Sequence, residues 1–307
     1  MSKTQIVVPK HRQKISAKVQ ALLNVSRASN TIQAYVSDVK TFLRWGGRIP
    51  ATPAMIAEFL AEQSDTRTFS TLRRKTAAIA LVHRELGYVN PCSAEIVKST
   101  LRGIRRARPT RVRQAKPLLA SELKLIVSFL EGTSKDRDKA ILLLGFAAAL
   151  RRSELVALNV EDLGLQNSNL VVEIRSSKTD RLKLGRQIIV PPGPNAACPI
   201  RFLVKWLHEA GIKDGAVFRG MDRHGNVRST RLTAETVSTI VKRSVSQVGL
   251  DARGYSAHSL RAGYVTSAAL RGIPTWSIKK QTGHRTDSSL ESYIRVSTNN
   301  GSTSLLR

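Results

Sequence analysis

Residues 140–158 read AILLLGFAAALRRSELVAL, and this stretch decides how the second half of the chain folds. Its first eleven residues are too apolar for a helix exposed to water, so they predict a helix in the core of a domain. The apolar run gives way to Arg151 and Arg152, which places permanent positive charge at the edge of that core. Such a charge requires a partner. Arg151 and Glu154 lie three residues apart and are therefore either an ordinary ion pair at a helix end or part of a site.

The segments that follow indicate a hairpin and then a return to helices. LVVEIR at 170–175 and QIIVP at 187–191 are rich in β-branched residues and flank the polar stretch SSKTDRLKLGR, which carries Lys178. A lysine in such a turn is most often only solvated. Helices are predicted at 200–210, 233–248, 258–271, 274–282 and 287–296.

The first hundred residues predict a small domain of four or five helices. The start signals are Asn30, Thr52-Pro53, Thr68 and Asn90-Pro91, and Gly87 stops the third helix after Leu86. The apolar face of the first helix is formed by Ile32, Tyr35, Val36, Val39, Phe42 and Leu43. Residues 1–104 are thus predicted to be all-helical, with the fourth helix ending near Arg106.

A basic connection, RRARPTRVRQAKP at 105–117, separates this region from residues 118–307. Its six positive charges, without an acid, repel one another in water and favour a linker that lies along phosphates. A linker that is merely solvated is the alternative. The residues predicted to contact DNA here and just before it are Arg102, Arg105, Arg106, Arg111 and Arg113.

The charge of the whole chain favours nucleic acid as the partner. Its 50 Lys and Arg against 22 Asp and Glu give a net charge of +28, and a polyanion is the commonest partner of such a surface. Both halves are basic, because the first 118 residues carry 22 basic and 6 acidic residues and the rest carry 28 and 16. A membrane surface is the other candidate, but we find neither an apolar run of membrane length nor a basic amphipathic helix with aromatic anchors.

The two cysteines bear on metal sites and on location. Cys92 and Cys198 are far apart and lack Cys or His neighbours at ligand spacing, so neither a zinc site nor a disulfide framework is predicted. With no signal peptide at the start of the sequence, we expect a protein of the reducing cytoplasm, associated with the nucleoid.

Three further segments carry residues that could do chemistry. His258-Ser-Leu-Arg261 places an imidazole and a guanidinium three residues apart on a helix, and Gly283-His284 precedes the segment that carries Tyr293. Taken singly, His258 and Arg261 could be a surface pair, and a helical tyrosine is more often packed than reactive. Tyr264 is an example of a tyrosine that we assign to packing.

The order of these motifs along the chain resembles the tyrosine recombinase (phage integrase) family. The matching segments are ALRRSELVAL, SSKTD, AHSLRAG, QTGH and SLESYIR, which together span the second domain. The helical first domain and the basic linker look like the family's core-binding domain, as in the Cre branch. The family usually has glycine where this chain has Ala149, which concerns local backbone geometry. Because Arg152 follows Arg151, the assignment to Arg151 rests on its spacing to Glu154.

The resemblance implies a mainly α fold, with a helical core-binding (DNA-binding) domain and a mostly α catalytic domain with one small β-sheet. It implies that Tyr293 attacks the phosphodiester of double-stranded DNA and forms a 3′-phosphotyrosyl link, without metal, ATP or any cofactor. Fixed guanidinium groups would replace a metal at the phosphate. The implied catalytic residues are Arg151, Lys178, His258, Arg261, His284 and Tyr293, with Glu154 in support.

Individual roles follow from the chemistry of each group. Arg151 and Arg261 would clamp the phosphate, and His284 would donate a further hydrogen bond to it. Lys178 would protonate the leaving 5′-oxygen, and His258 would accept the proton of the Tyr293 phenol. The expected assembly is a homotetramer in the DNA synapse and a monomer when free. The tail, IRVSTNNGSTSLLR, ends in an apolar Leu305-Leu306 that suits docking into a neighbouring subunit, with a frayed terminus as the alternative.

Two alternatives within DNA-binding proteins remain. A type IB topoisomerase uses a similar set of residues but relaxes supercoils as a monomer. An accessory DNA-binding protein without catalysis would be expected to lack one of the six residues, and all six are present.

Overall fold

A computed structural model describes residues 29–108, 114–175 and 185–284, together with Thr286 and Leu290. The chain divides into two compact units, Met1–Arg113 and Gln114–Arg307. None of the helices in these described segments is both long and apolar enough to cross a membrane.

Among its described residues, the first unit contains helices and connecting loops but no strand. Its helices are α1 (Ser29–Arg44), α2 (Pro53–Gln63), α3 (Phe69–Glu85) and α4 (Glu95–Ala107). They enclose a core that consists of Phe42, Ile56, Phe59, Leu60, Leu72, Ile79 and Val97. Aromatic rings meet edge to face within it, with the centroids of Phe42 and Phe59 at 5.1 Å.

Two of the predicted start signals act as helix caps. The Thr52 hydroxyl accepts the N–H of Met55 at 3.2 Å, and the Thr68 hydroxyl accepts the N–H of Thr71 at 3.4 Å. Gly87, with φ at +77°, follows the end of α3 as predicted.

The other two start signals differ from the prediction. The first helix begins at Ser29, so Asn30 lies inside its first turn. Asn90 caps only a short 3₁₀ turn at Pro91–Ser93, because the extended backbone of Ala94 (ψ 148°) interrupts the chain before α4. Of the apolar face predicted for the first helix, Phe42 enters the core, whereas Ile32, Val36 and Leu43 are exposed.

The second unit is mostly helical with two small sheets, which confirms the predicted fold class. Its helices are α5 (Ala120–Phe129), α6 (Lys135–Ala147), α7 (Arg152–Ala157), α8 (Pro199–Glu209), α9 (Ala234–Gln247), α10 (His258–Leu270) and α11 (Thr275–Thr282). Its strands are β1 (Leu163–Gln166), β2 (Asn169–Ile174), β3 (Arg186–Val190), β4 (Arg219–Met221) and β5 (Val227–Arg231).

Helix α6 is the centre of this unit. Residues 140–145 are buried in it, as the apolar run predicts. The helix ends at Ala147, earlier than the apolar run itself, and Arg151 caps the start of α7. The charge at the edge of the core thus lies in the corner between two helices.

The predicted hairpin is present as β2 and β3, paired antiparallel from Leu170 opposite Val190 to Ile174 opposite Arg186. Strand β1 adds to its other edge. The pair β4 and β5 forms a second sheet, so the prediction of a single small sheet was incomplete. These strands have three and five residues, none of them buried, so they lack the apolar alternation by which strands are recognised.

The chain enters the second unit along α10. The N–H of Lys116 donates to the carbonyl of Gly254 at 2.9 Å, and the N–H of Leu118 donates to that of Ser259 at 3.0 Å. Gly263 lies directly beneath this segment, where an added Cβ would be 1.8 Å from the carbonyl oxygen of Leu118. Only glycine fits at this contact.

The predicted helices at 200–210, 233–248, 258–271 and 274–282 correspond to α8 to α11 within two residues at each end. The helix predicted at 287–296 lies outside the described residues except for Leu290, which is helical and buried.

Candidate active site

The corner after α6 holds a main-chain carbonyl against Arg261. Ala149 is buried and has φ at +50°, a left-handed conformation that costs a residue with a side chain on the order of 1 kcal/mol or more. In this conformation its carbonyl oxygen accepts a hydrogen bond from Nη1 of Arg261 at 2.8 Å. The resembling family usually has glycine where this chain has Ala149, and the left-handed backbone at this position favours glycine.

Glu154 is the partner that Arg151 requires. Oε1 of Glu154 lies 2.5 Å from Nη1 of Arg151, and its Oε2 accepts the main-chain N–H of Arg151 at 3.0 Å. The Glu154 side chain is only 2% exposed, whereas that of Arg151 is 19% exposed. The carboxylate therefore fixes the arginine from below and leaves part of the guanidinium facing outward.

Arg261 is almost wholly buried and joins the corner to His284. Its Nη2 lies 3.1 Å from Nε2 of His284, and Nδ1 of His284 lies 2.7 Å from the hydroxyl oxygen of Thr282. That hydroxyl donates its proton to the carbonyl of Ile278 at 2.7 Å. It must then accept from Nδ1–H, so Nε2 of the neutral ring accepts from Arg261.

Both histidines of the site are held neutral. Desolvation, followed by the charges of Arg261 and Arg151, lowers the pKa of His284 to about 3. The same three causes, with desolvation the largest, lower the pKa of His258, although this residue is exposed. At neutral pH the positive charge of the site therefore resides on its guanidinium groups.

Sequence reasoning missed Arg186, the first residue of β3. Its Nη2 lies 3.3 Å from Oε2 of Glu154, and its Nη1 donates to the carbonyl of Gln281 at 2.7 Å. The available signal was weak: a basic residue at the end of the predicted turn, which looks like any solvated charge.

The other tyrosines near the site are occupied by packing. The Tyr255 hydroxyl donates to Oε1 of Glu122 at 3.0 Å, and the Tyr264 ring meets Phe146 edge to face with centroids 6.0 Å apart. Burial raises the pKa of both phenols. Neither surrounding favours a phenolate.

The structure brings together Arg151, Glu154, Arg261 and His284, with His258 close enough to influence the pKa of His284. Lys178, Tyr293, Arg111 and Arg113 lie outside the described residues. The remaining predicted DNA contacts, Arg102, Arg105 and Arg106, are exposed on α4 of the first unit.

The chemistry available to this cluster is the binding of an anion. The guanidinium groups of Arg151 and Arg261, together with the two imidazoles, suit the non-bridging oxygens of a phosphodiester. Among the described residues, no group of three or more His, Cys, Asp or Glu could hold a metal ion.

The chain is similar to known proteins over most of its length. Residues 116–300 match the model of the phage integrase family. The chain is 35% identical over 295 residues to an integrase/recombinase xerD homolog of Selenomonas ruminantium, covering 92% of this chain and 86% of that protein. It is 26% identical to the tyrosine recombinase XerD of Vibrio cholerae serotype O1, covering 88% and 87%.

A solved structure shares the fold. The lambda integrase tetramer bound to a Holliday junction superposes with a TM-score of 0.64 at 19% identity, over 89% of this chain and 74% of that one. With the family match spanning more than half of the sequence, the chain belongs to the phage integrase family and is a site-specific tyrosine recombinase that acts on DNA.

Proposed function

We propose that this recombinase cuts and rejoins double-stranded DNA through a covalent 3′-phosphotyrosyl intermediate formed by Tyr293, without metal, ATP or another cofactor. The observation that carries the proposal is the convergence of Arg151, Arg261 and His284 around one corner of the second unit. Fixed guanidinium donors such as these two stabilise the charge that builds up on a phosphate during attack.

The reaction is written as one transesterification. The phenolic oxygen of Tyr293 bonds to phosphorus while the bond from phosphorus to the 5′-oxygen breaks. His258 takes the phenolic proton, and Lys178 gives a proton to the departing 5′-oxygen. Attack by a 5′-hydroxyl on the phosphotyrosine reverses every step and rejoins the strand, so no external energy source is required.

The histidine roles follow from protonation. His258 is neutral at physiological pH and can accept a proton. In the absence of DNA, Nε2 of His284 is an acceptor that orients Arg261. A phosphate oxygen in that position would favour a ring that donates, so we propose that His284 becomes a donor only when the phosphate is bound.

The length of chain bounds how far Tyr293 and Lys178 can lie from residues that the structure describes. Leu290 is buried against Val265, Ala268 and Ile278, on the helices that carry Arg261 and precede His284. Tyr293 follows three residues later, and three residues span at most about 11 Å. Lys178 follows Arg175, just past the end of β2, by the same number of residues.

Duplex DNA would be held by both units. We propose residues 1–104 as the core-binding domain, 105–117 as a linker along phosphates, and 118–307 as the catalytic domain with its tail. Arg102, Arg105 and Arg106 on α4 supply exposed charge, although Arg102 also pairs with Glu95 and Arg105 lies over the Phe69 ring at 5.8 Å. Such a reaction belongs on nucleoid DNA in the cytoplasm.

The proposed assembly is a monomer when free and a homotetramer in the synapse. The tetrameric state of the lambda integrase on a Holliday junction supports it by analogy of fold. An apolar cavity of about 540 Å³, lined by Leu123, Phe146, Ile189 and Tyr264, is available to receive Leu305-Leu306 of a second copy. Deleting residues 302–307 should leave binding of one site intact and weaken synapsis and strand exchange together; an unchanged recombination rate would remove the tail from the assembly.

The test is the covalent adduct. Duplexes are first selected from a random-sequence library with the full-length Tyr293→Phe protein, which is expected to bind DNA normally. The wild-type protein should form an SDS-resistant adduct on the selected duplex, and the Tyr293→Phe protein should form none. Tyr264→Phe is the matched control and should retain the adduct. An adduct that persists in Tyr293→Phe but disappears in the control would move the nucleophile to Tyr264.

A further inference from the structure

Arg186 occupies a junction of three segments that carry proposed active-site residues. It follows Gly185, whose φ is +70° and whose added Cβ would lie 2.9 Å from the carbonyl oxygen of Ile174. The backbone at Gly185 therefore lies directly against Ile174, the last residue of β2. Arg186 is the first side chain after that place, and 20% of it is exposed.

One arm of the guanidinium reaches the carboxylate beneath Arg151. Nη2 of Arg186 lies 3.3 Å from Oε2 of Glu154, the same oxygen that accepts the main-chain N–H of Arg151. One carboxylate is thus shared between two guanidinium groups. Without Arg186, the negative charge of Glu154 would be balanced by Arg151 instead of being shared between the two guanidinium groups.

The other arm holds the corner in front of His284. Nη1 of Arg186 donates to the carbonyl of Gln281 at 2.7 Å. An added Cβ at Gly283 would lie 3.0 Å from the guanidinium carbon, so the guanidinium packs directly against this corner. Gly283 has φ at +68°, and this left-handed turn aims the next residue, His284, at Arg261.

We propose that Arg186 is a positioning residue for strand cleavage, holding the Arg151–Glu154 pair and the Gly283–His284 corner in fixed relation to each other and to the start of β3. The inference rests on the proposed function for the roles of those residues, and it concerns how they are held. Arg186 acts through Glu154 and Gln281.

The fork of an arginine suits this position. Two donors pointing in different directions reach a carboxylate and a carbonyl at once, whereas a lysine carries its donors on one atom. Burial is the larger influence on the pKa of Arg186 and lowers it, while Glu154 acts in the opposite direction. Nε of Arg186 is buried without a hydrogen-bond partner among the described residues, and burying this donor costs free energy. The hydrogen bonds of Nη1 and Nη2 offset that cost.

The experiment compares Arg186→Gln, Arg186→Lys and the control Arg201→Gln on the selected duplex. Arg201 is an exposed arginine on α8 that lies over the Phe202 ring at 4.9 Å, so its loss removes one charge elsewhere in the same unit. Because an error of about 1 Å in position can cost on the order of a hundredfold in rate, Arg186→Gln should slow adduct formation by roughly ten- to a hundredfold. DNA binding should change by no more than about threefold, and Arg186→Lys should lie between Gln and wild type.

A second readout follows His284 in the protein without DNA. Its ring is faced by Arg261, Arg151, His258 and Arg186, with Glu154 beneath Arg151. Removing Arg186 takes away one positive charge and releases a carboxylate from one of its two partners, and both changes raise the pKa of His284 above its value of about 3. The imidazole proton resonance, assigned by its loss in His284→Gln, should titrate at higher pH in Arg186→Gln and stay in place in Arg201→Gln.

The outcomes are separable. Arg186→Gln with wild-type adduct rate and an unmoved His284 titration overturns the positioning role while leaving the proposed function intact. If Arg186→Gln does not fold, Arg186→Lys decides by the adduct rate, because it keeps the charge but loses the fork; a wild-type rate in Arg186→Lys then overturns the positioning role. Failure of the wild-type protein to form any adduct counts against the proposed function, and the titration of His284 then still tests the link through Arg186.

Discussion

Arg261 donates a hydrogen bond to the main-chain carbonyl of Ala149 at 2.8 Å, across 112 residues of sequence. The contact joins the buried end of α6 to the helix that presents His258. It exists because Ala149 takes a left-handed backbone conformation, with φ at +50°. The orientation of one proposed phosphate ligand therefore depends on the backbone of a residue with no functional side chain.

Substitution of Ala149 should show this dependence. Ala149→Gly relieves backbone strain but loses a buried methyl group and adds chain entropy to the unfolded state, so the free energy of unfolding should change by less than about 1 kcal/mol. Ala149→Val places a β-branched residue at positive φ in a buried corner and should destabilise by about 2 kcal/mol or more. Urea unfolding measures both. A valine variant as stable as wild type would mean that the corner relaxes freely.

The phosphate clamp is tested by removing one guanidinium at a time. Arg151→Ala and Arg261→Ala should each slow adduct formation on the order of a hundredfold or more, as expected for loss of one fixed donor at a developing charge. Arg253→Gln is the control, because that side chain is 92% exposed and paired with Asp251.

The same assay needs two checks. Since Arg261→Ala leaves the Ala149 carbonyl without this donor, circular dichroism must first show that the variant is folded, and Arg261→Lys provides a milder change. EDTA should have no effect on any variant. Cleavage within a few-fold of wild type would assign both arginines to structure, and inhibition by EDTA would contradict a metal-free reaction.

Acid should weaken the protein that has no DNA bound. Desolvation and nearby guanidinium groups lower the pKa of His284 to about 3, whereas an unfolded histidine titrates near 6.5. Between these two pH values the His284 imidazole is protonated in the unfolded chain and neutral in the folded chain. The free energy of unfolding therefore falls as pH drops through this window. The measurement is urea unfolding of wild type and His284→Gln at several pH values, and wild type should show the steeper loss. Parallel curves would show that His284 is protonated in the fold.

Gly263 should tolerate no side chain. An added Cβ would lie 1.8 Å from the carbonyl oxygen of Leu118, and a backbone oxygen has no alternative rotamer. Gly263→Ala should therefore destabilise the second unit by about 3 kcal/mol or more. Gly164 on β1 has open space around it and serves as the control, with Gly164→Ala expected within about 0.5 kcal/mol of wild type. Equal stability of the two variants would be evidence that the entering segment moves aside.

The helices were predictable because their signals are local. Thr52 and Thr68 cap helices where the sequence places them, and the apolar run at 140–145 is buried as its composition requires. A predicted helix start was wrong where a neighbouring residue changed the local backbone conformation. Asn90 caps a single 3₁₀ turn because Ala94 is extended, and the second sheet consists of strands too short and exposed to show alternation.

The site was predictable in its members but not in its connections. Spacing three residues apart identified Arg151 with Glu154, since Arg151 caps the helical turn that carries Glu154. The contact from Arg186 to Glu154 spans 32 residues and that from Arg261 to His284 spans 23, and no local pattern encodes either. The acceptor role of Nε2 of His284 depends on where the Thr282 hydroxyl sends its proton, which only the three-dimensional structure reveals.

The main-chain hydrogen bond from Leu118 to Ser259 also couples the segment that enters the second unit to helix α10. A displacement of Leu118 is therefore transmitted to the first turn of α10, between His258 and Arg261. The closely fitted Gly263 leaves no slack at that anchor. A shift of the entering segment at Leu118 would thereby move the backbone between two proposed active-site residues, His258 and Arg261.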